Sequence, residues 1–466
     1  MMSEDDFSNW YNDLVERAGL CDKRYPIKGM NIWTAYGWKV MSLIDSFTRA
    51  EMERTSHGEV CFPLLIPADQ FAREEKHIKG FGSEVYWVTH AGDNPLDIKL
   101  VVRPTSETAM YPIFSLWIRA HTDLPLKVYQ VCNVFRYETK QTRAFVRMRE
   151  IHFFEAHTCH ADFEDAERQM AEDMEIMDNV SRALCLPHFK HRRPDWDKFA
   201  GAYYSVGIDC HMPTGRTVQI GGIHQYRDNF AKAYDIKYEA DNGEHRHVHQ
   251  TTYGMSERLV GAIVAIHGDE HGLKLPPAVA PIQVVIVPIL SKDGKDDVAG
   301  ESANVRDELA AAGIRVHLDD RDLRPGNKYF DWELKGVPLR LEIGGRDIKS
   351  QSVLSVRRDT REKSPIARGE LVSGVRAKLD AIQKAMWDDA SAKLASGTVA
   401  VTSLEGEQPK AVLRMAWCGE NACGQEIEAK TGLNILGTSY RIEAGSGHCV
   451  KCGGAAKIFL YAARTY

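Results

Sequence analysis

Residues 126–160 read LKVYQVCNVFRYETKQTRAFVRMREIHFFEAHTCH, and this stretch decides the fold. It predicts a hairpin of two strands, at about 127–137 and 144–157, joined by the polar loop KQTR at 140–143. Because successive side chains of a strand point to opposite faces, Arg136 and Glu138 are expected on one face of the first strand.

The second predicted strand also carries polar residues on one face, namely Arg147, Arg149, Phe153, Glu155 and His157. A hairpin built only for a core does not normally carry so many charges. Arginines with carboxylates, an aromatic ring and a histidine on one wall favour a site for a phosphate-bearing, zwitterionic ligand. On this stretch alone, a solvated sheet face with ion pairs is an equal alternative.

The bulk composition is that of a globular protein of two or three domains. The chain has 466 residues, of which 44% are hydrophobic and 27% charged, and its net charge is −6. A nucleic-acid partner would therefore need a local basic patch. The acidic N-terminus is not a signal peptide, and no run approaches the ~18 apolar residues of a membrane span. We expect a cytoplasmic protein without a membrane partner.

Four of the ten cysteines lie in the last fifty residues. Cys418 and Cys423 form one close pair, and Cys449 and Cys452 form another. Two such pairs favour a tetrahedral, structural Zn²⁺ with four thiolate ligands. Two disulfides, which a reducing cytosol disfavours, or a site that has lost its metal, are the alternatives.

The N-terminal part is expected to begin with helices at 4–20 and 34–56. A strand follows at 60–66, and Pro63 places it at a boundary such as a subunit interface. In RPTSET at 103–108, Ser and Thr are expected either to cap a helix or, with Thr105 and Glu107, to contact a ligand amine.

The segment after the hairpin is expected to continue an antiparallel sheet. An acidic helix is predicted at 162–184, followed by further strands and turns of the sheet at 199–209, 217–222 and 229–234. A single apolar helix is predicted over 251–267, with Arg258 near its start.

After a linker at 274–281, strands and helices alternate. Strands are predicted at 282–290, 314–318 and 339–343, and helices at 296–312, 327–335 and 370–395. This alternation indicates an α/β domain with a largely parallel sheet.

Several motifs resemble those of class II aminoacyl-tRNA synthetases. FRYE at 135–138 with the following loop and Arg147 resembles motif 2, GMSER at 254–258 resembles motif 3, and the segment ending near Pro63 resembles motif 1. The chain is similar to the prolyl-tRNA synthetase family through RPTSET, FRYE, EAHT (155–158), FAGA (199–202), NFAKAYDI (229–236), HGDEHGLKLPP (267–277) and WELKGVPLRLEIG (332–344). The similarity is to the type with a C-terminal zinc domain and without an editing domain between motifs 2 and 3.

The resemblance implies a homodimer formed through the motif 1 region. It implies an α+β catalytic domain at 1–277, with an antiparallel sheet of six or seven strands flanked by helices. An α/β anticodon-binding domain at 278–385 and a small α+β zinc-binding domain at 386–466 would follow.

The resemblance also implies the reaction. ATP with Mg²⁺ would activate L-proline to prolyl-adenylate, and the prolyl group would pass to the 3′ end of proline tRNA. Proline brings its own nucleophile and pyrophosphate leaves readily, so catalysis would consist of positioning and charge stabilisation.

By resemblance, the catalytic residues would be Arg136 and Arg258. The residues that bind ATP would be Arg136, Glu138, Arg147, Gln219, Ser256 and Arg258. Those around proline would be Thr105, Glu107, Arg136, Phe153, His157, Phe199 and His224. Those that read the anticodon would be Glu333, Arg340, Arg346 and Asp347, and the zinc ligands would be Cys418, Cys423, Cys449 and Cys452.

The sequence departs from the family pattern at Tyr203, Gly222 and Ile223, and Phe153 replaces a common tryptophan. We expect these positions near the amino-acid pocket, where they would alter selectivity against small relatives of proline. A paralogue that activates a proline-like or other small amino acid, or an inhibitor-resistant second copy, is therefore an alternative. A catalytically inactive tRNA-binding protein would not need motif 3, and a zinc-ribbon nucleic-acid binder would explain only the last fifty residues.

Overall fold

The computed structural model describes residues 3–75, 84–290 and 297–466. The helices of these residues are α1 (Glu4–Arg17), α2 (Ala35–Arg54), α3 (Ala68–Glu75), α4 (Glu107–Trp117), α5 (Phe163–Ala183), α6 (Asn229–Tyr234), α7 (Arg258–His267), α8 (Val298–Ala311), α9 (Pro325–Leu334), α10 (Gly345–Lys349), α11 (Leu371–Ser396) and α12 (Asn421–Thr431).

The strands up to the end of α7 are β1 (Cys21–Asp22), β2 (Ile32–Trp33), β3 (Gly58–Glu59), β4 (Leu65–Pro67), β5 (Tyr86–Ala91), β6 (Asn94–Val102), β7 (Leu126–Phe135), β8 (Glu150–His160), β9 (Phe189–Arg192), β10 (Tyr204–His211), β11 (Thr217–Arg227), β12 (Lys237–Glu239), β13 (His245–His247) and β14 (His249–Ser256). The later strands are β15 (Val284–Ile289), β16 (Val316–Leu318), β17 (Leu339–Gly344), β18 (Ser352–Arg357), β19 (Lys363–Ala367), β20 (Thr398–Val401), β21 (Val412–Trp417), β22 (Asn434–Ser439) and β23 (Ile458–Ala463).

A large sheet organises the first 256 residues of the chain. Its strands lie in the order β3-β7-β8-β14-β11-β10-β9, and the neighbours from β7 to β9 are antiparallel. The predicted antiparallel catalytic sheet is therefore confirmed. The sheet continues through β22, β23, β21 and β20, because Thr438 pairs with Arg192 and Ser439 with His191. The C-terminal segment thus extends the catalytic sheet.

The two faces of this sheet serve different purposes. Phe154 of β8 and Tyr253 of β14 point into an apolar core that Met170 and Met177 of α5 complete. Because side chains alternate along a strand, the neighbouring positions of β8 and β14 face the other way. That second face carries the site described below.

Residues 284–367 form a separate sheet with the order β16-β15-β17-β18-β19. β16, β15 and β17 are parallel, whereas β18 and β19 are antiparallel. The α/β class is confirmed, but the prediction of a largely parallel sheet missed the hairpin of β18 and β19. The predicted domain boundary between residues 385 and 386 falls inside α11, which runs unbroken from Leu371 to Ser396.

Two element predictions were wrong. Residues 229–234 form α6 instead of the expected strand or turn, and its buried residues Phe230, Ala231 and Tyr234 lie on one helical face. The predicted helix over 251–267 is divided, because His249–Ser256 is a strand paired on both sides and only α7 is helical.

The strand around Pro63 and the second arm of the opening hairpin also differ from prediction. Pro63 lies between β3 and β4 and not within a strand. The second arm begins at Glu150, so Arg147 and Arg149 precede the strand instead of sharing its face. None of the helices formed by the described residues combines the length and apolar composition of a membrane span.

Candidate active site

A cavity of about 530 Å³ opens over β8, β14, β11 and β10. Phe153 and Glu155 of β8, Gly254 of β14, and Gly222 and His224 of β11 line it. These positions repeat every second residue within their strands, so the pleat of the sheet aims them at one space. The alternation of side chains along each strand therefore places these residues on one face of the sheet, where they line the cavity.

Arg136 and Arg258 both line this cavity. Arg136 directly follows β7, and its Nε donates to the Pro104 carbonyl at 3.1 Å. Arg258 is the first residue of α7, and it donates to the carbonyls of Val146 at 2.9 Å and Gln219 at 3.3 Å. Burial lowers the pKa of both guanidinium groups, yet arginine keeps its charge at neutral pH. Neutral carbonyl acceptors orient Arg258 without cancelling that charge.

The loop between the hairpin arms folds inward against the N-terminal part of the chain. Phe145 is fully buried with a positive φ of 59°, and its ring centroid lies 4.5 Å from that of Trp33. The hydroxyl of Tyr11 donates to the Ala144 carbonyl at 2.9 Å. This anchoring explains why the second strand starts later than predicted. It also leaves Arg147 3.5 Å from Glu138, with both side chains at the cavity.

At one end of the cavity, Thr105 and Glu107 lie together. The Thr105 hydroxyl donates to Glu107, and the Tyr226 hydroxyl donates to the other carboxylate oxygen at 3.1 Å. Ser106 occupies the N-cap position of α4, but its side chain makes no capping hydrogen bond. The capping interpretation of RPTSET is therefore not supported for Ser106.

Glu155 lies beneath the same end of the cavity. The Ser106 hydroxyl and Nε2 of Gln130, at 3.0 Å, donate to its Oε1, and Nε2 of His157 lies 3.3 Å from its Oε2. Burial would raise the pKa of Glu155, but His157, Ser106 and Gln130 outweigh it and hold that pKa at about 2. Burial would likewise lower the pKa of His157, but the carboxylates of Glu155 and Glu107 raise it. Glu155 is therefore a buried carboxylate, and it lies beside a histidine whose pKa is raised.

Aromatic rings form the adjoining wall. Phe199 lies with its ring centroid 4.8 Å from that of His224, and Nδ1 of His224 is 2.7 Å from the Ser205 hydroxyl. Burial lowers the pKa of His224 to about 3, so this ring is neutral. The guanidinium of Arg136 lies 5.9 Å from the ring centroid of Phe153. Together these groups bound a small space with apolar sides and charged ends.

Three predictions about this wall need correction. Ile223 is fully buried in the core on the other face of the sheet, as alternation along β11 requires. Tyr203 is 37% exposed and stacks on Arg227 at 3.6 Å. Among the described residues that line the cavity, Gly222 is present, but Tyr203, Ile223 and His157 are not. His157 lies behind Glu155, with its Nδ1 3.1 Å from the Tyr111 hydroxyl.

Glu155 and Glu257 are among the cavity residues that the sequence-based site list did not contain. Glu155 alternates with Phe153 and His157, and this spacing was the available signal. Glu257 lies directly before Arg258, lines the cavity, and has no hydrogen-bond partner for Oε2 among the described residues. Burial raises its pKa to about 8, although Arg258 and Arg136 lower it.

The four C-terminal cysteines come together as predicted. The sulfur atoms of Cys418, Cys423, Cys449 and Cys452 all lie within 4.8 Å of one another. Four thiolates about 2.3 Å from a tetrahedral zinc ion would lie about 3.8 Å apart, so this set fits the metal. Cys423 is the third residue of α12, and Cys418 follows β21 directly.

Comparison with protein families divides the chain into three matches. Residues 86–267 match the tRNA synthetase class II core domain (G, H, P, S and T), and residues 283–378 match an anticodon binding domain. Residues 403–466 match the C-terminal domain of prolyl-tRNA synthetase.

Whole-chain relatives agree with these matches. A proline–tRNA ligase of Thermococcus kodakarensis is 54% identical over 99% of this chain and 98% of its own length. The corresponding protein of Methanosarcina mazei is 49% identical over 99% of this chain and 97% of its own. This chain belongs to the prolyl-tRNA synthetase family. The Giardia lamblia prolyl-tRNA synthetase in complex with prolyl-adenylate is 34% identical, with a TM-score of 0.96 over 100% of this chain and 99% of that one. The predicted family, fold class and enzyme class are confirmed.

In the anticodon-binding domain of this family member, Glu333 of α9 and Arg340 of β17 lie side by side. Arg340 donates to Glu333 at 2.9 Å and to Glu342 at 3.0 Å. Its guanidinium lies 3.9 Å from the ring centroid of Tyr329. The pair is therefore held in a fixed orientation.

Arg346 and Asp347 lie in the short helix α10. Arg346 is exposed, whereas Asp347 accepts a hydrogen bond at 2.9 Å from the backbone N–H of Gly344. One carboxylate oxygen of Asp347 thus takes part in capping the N-terminus of α10.

Proposed function

We propose that this protein activates L-proline with ATP and transfers it to the 3′ end of proline tRNA. One observation carries the proposal: a single cavity holds Arg136 and Arg258 together with the carboxylates of Glu107 and Glu155. A zwitterionic amino acid and a triphosphate need groups of both signs close together. Membership of the prolyl-tRNA synthetase family supports this assignment.

The two arginines would stabilise the negative charges of the proline carboxylate and of the ATP phosphates. Arg136 would bridge the proline carboxylate and the α-phosphate of ATP, while Arg258 would hold the γ-phosphate. The carboxylate attacks the α-phosphorus and pyrophosphate leaves, so no proton must be removed by the protein. The gain in rate would come from alignment and from positive charge fixed beside the reacting phosphate.

The remaining ATP contacts would come from motif 2 and the facing strands. Glu138 would accept from the adenine amino group, and Arg147, 3.5 Å away, would both orient it and assist with ATP. Gln219 and Ser256, which line the cavity, would contact the nucleotide. ATP would enter as its Mg²⁺ complex.

The part of the cavity that would bind proline has negatively charged groups at its floor and apolar groups at its sides. Thr105 and Glu107 would accept from the imino NH₂⁺, and Phe153, Phe199 and the neutral His224 would surround the ring. His157 would act indirectly, since it keeps Glu155 charged. Because Tyr203 and Ile223 lie outside this wall, the sequence departures that favoured a paralogue with another substrate lose most of their weight.

For tRNA, we propose that the C-terminal half reads the anticodon. Arg340, Arg346, Glu333 and Asp347 offer the donors and acceptors that recognise guanine edges. The guanidinium of Arg340 is stacked on Tyr329.

We propose Zn²⁺ at the four C-terminal cysteines, with a structural role. Metal analysis is expected to give one zinc per chain. A strong chelator should open the C-terminal module, detected as new protease cleavage after residue 400, whereas untreated protein resists. A chain without zinc would remove this assignment.

We also propose a homodimer through the motif 1 region. Large apolar side chains are exposed near Pro63: Leu64 and Leu65 follow it, and Leu116 precedes Trp117, whose ring centroid lies 5.6 Å from that of Phe62. Such a patch is typical of a subunit interface. Sedimentation of Trp117→Glu should give a monomer where the parent chain gives a dimer; a monomeric parent chain would contradict the proposal.

Amino-acid-dependent pyrophosphate exchange tests the main proposal. Across the twenty amino acids and several proline analogues, we expect the highest kcat/KM with proline. Because a small apolar pocket discriminates one methylene by only about 1–3 kcal/mol, weak exchange with alanine or cysteine is also expected. A preferred substrate other than proline would overturn the assignment.

A further inference from the structure

The loop at 193–203, between β9 and β10, forms one wall of the cavity. Arg193 and Phe199 both line the cavity from this loop. The loop lacks regular secondary structure, so its shape depends on what it contacts. Its end contacts α6, where Asn229 donates to the Gly201 carbonyl at 2.8 Å, whereas its first residues contact the C-terminal module.

Trp196, three residues before Phe199, lies against α12 of that module. A Cβ added at Gly424 would lie 2.3 Å from Cη2 of the Trp196 ring, so the ring rests directly on the helix backbone. The indole Nε1–H donates to Oε2 of Glu428 at 3.1 Å. The ring also packs against the apolar core of the C-terminal module.

The start of the loop is fixed to the same module. Nη1 of Arg193 donates to the Leu436 carbonyl of β22 at 3.0 Å, and its Nη2 donates to Asp209 at 2.8 Å. Gly437 allows this approach, because a Cβ there would lie 2.0 Å from the Arg192 carbonyl. Two independent contacts thus attach the loop to elements that follow residue 420.

We propose that Trp196 is a positioning residue for the amino-acid pocket. Its contacts with Gly424 and Glu428 hold the loop so that Phe199 stays packed on His224. A pocket wall made from a loop binds tightly only when the loop is ordered before the ligand arrives. The inference deepens the proposed function, on which it rests for the contact between Phe199 and proline.

Gly424→Ala tests this without weakening α12, because alanine favours a helix over glycine by about 1 kcal/mol. The new methyl group must displace the Trp196 ring. In pyrophosphate exchange, we expect KM for proline to rise on the order of 10-fold, while KM for ATP stays unchanged. Gly326→Ala in α9 is the matched control, since a Cβ there meets no atom within 4 Å.

Substitution of Trp196 itself separates the ring contact from the hydrogen bond. Trp196→Phe keeps an aromatic ring but loses the N–H to Glu428, so its KM for proline should lie between those of the parent chain and Trp196→Ala. If Trp196→Ala does not fold, Gly424→Ala and Trp196→Phe still test whether Trp196 positions the loop.

Unchanged KM for proline in the folded variants would overturn the inference, as would an equal rise in KM for both substrates. Exchange by the parent chain separates the two proposals. Absence of proline-dependent exchange there counts against the proposed function, whereas the variants test only the role of Trp196.

Discussion

Two glutamates in this cavity are equally buried and yet differ in charge. Glu155 and Glu257 each expose 2% of their surface. Ser106, Gln130 and the Cys132 thiol donate to the Glu155 carboxylate, His157 lies 3.3 Å from it, and its pKa is lowered to about 2 despite burial. Oε2 of Glu257 has no hydrogen-bond partner among the described residues, and burial raises its pKa to about 8. Burial is equal at the two positions, so the difference in charge comes from the side-chain hydrogen-bond partners and the neighbouring histidine, which Glu155 has and Glu257 lacks among the described residues.

The difference matches the two halves of the substrate pair. A fixed negative charge at Glu155 suits the end of the cavity that would take the proline imino group. A neutral acid at Glu257 leaves the charge of Arg258 uncancelled, and this suits the end that would take the triphosphate. The cavity thus carries its polarity before any ligand binds, as electrostatic preorganisation requires.

The largest effect is expected when the cation beside Glu257 is removed. Arg258→Ala should lower proline-dependent pyrophosphate exchange by at least about 10³-fold, because charge on the phosphates loses a fixed partner. Filter binding of proline tRNA should stay close to that of the parent chain. Arg306→Ala, at an exposed ion pair with Asp307, is the control. Surviving exchange in Arg258→Ala would show that the positive end of the cavity lies elsewhere.

A smaller effect is expected at the other glutamate. Glu155→Gln removes the charge that Ser106, Gln130 and His157 surround, and removes the carboxylate that raises the pKa of His157. KM for proline should rise by about 10- to 100-fold, with a smaller change in KM for ATP. Glu257→Gln is the matched comparison, since the same substitution there replaces a neutral acid by a neutral amide. If Glu155→Gln and Glu257→Gln raised KM for proline equally, the proposed difference in charge between the two glutamates would be contradicted.

The sequence predicted the site residues that are marked by a local motif, a short spacing or the alternation of a strand. Arg136 and Arg258 could be assigned from their motifs, and the four cysteines from their spacing, because these signals are local. The face of the hairpin at Phe153 and Glu155 follows from strand alternation alone. The same rule, applied to β11, would have placed Ile223 in the core.

Features that depend on distant partners could not be predicted. The inward turn at Phe145 requires Trp33 and Tyr11, which are more than a hundred positions earlier in the chain. The contact between Trp196 and Gly424 joins segments more than two hundred positions apart. The charge states of Glu155 and Glu257 likewise depend on their three-dimensional neighbours, which no linear pattern contains.

An effect on stability, and not on catalysis, addresses the charge of Glu257 directly. Its pKa rises from about 4.5 in the unfolded chain to about 8 in the folded one, so between these values the folded state holds the extra proton. This contribution to stability is therefore complete below pH ~4.5 and is lost as pH rises towards 8, by up to about 1.4 kcal/mol per pH unit. Gln at position 257 cannot titrate. The Tm of Glu257→Gln minus the Tm of the parent chain should therefore increase as pH rises from 5 to 8. Asp173, whose pKa burial raises to about 7, titrates in both proteins and cancels in the difference. Parallel Tm curves would mean that Glu257 is already charged, and the contrast with Glu155 would then fail.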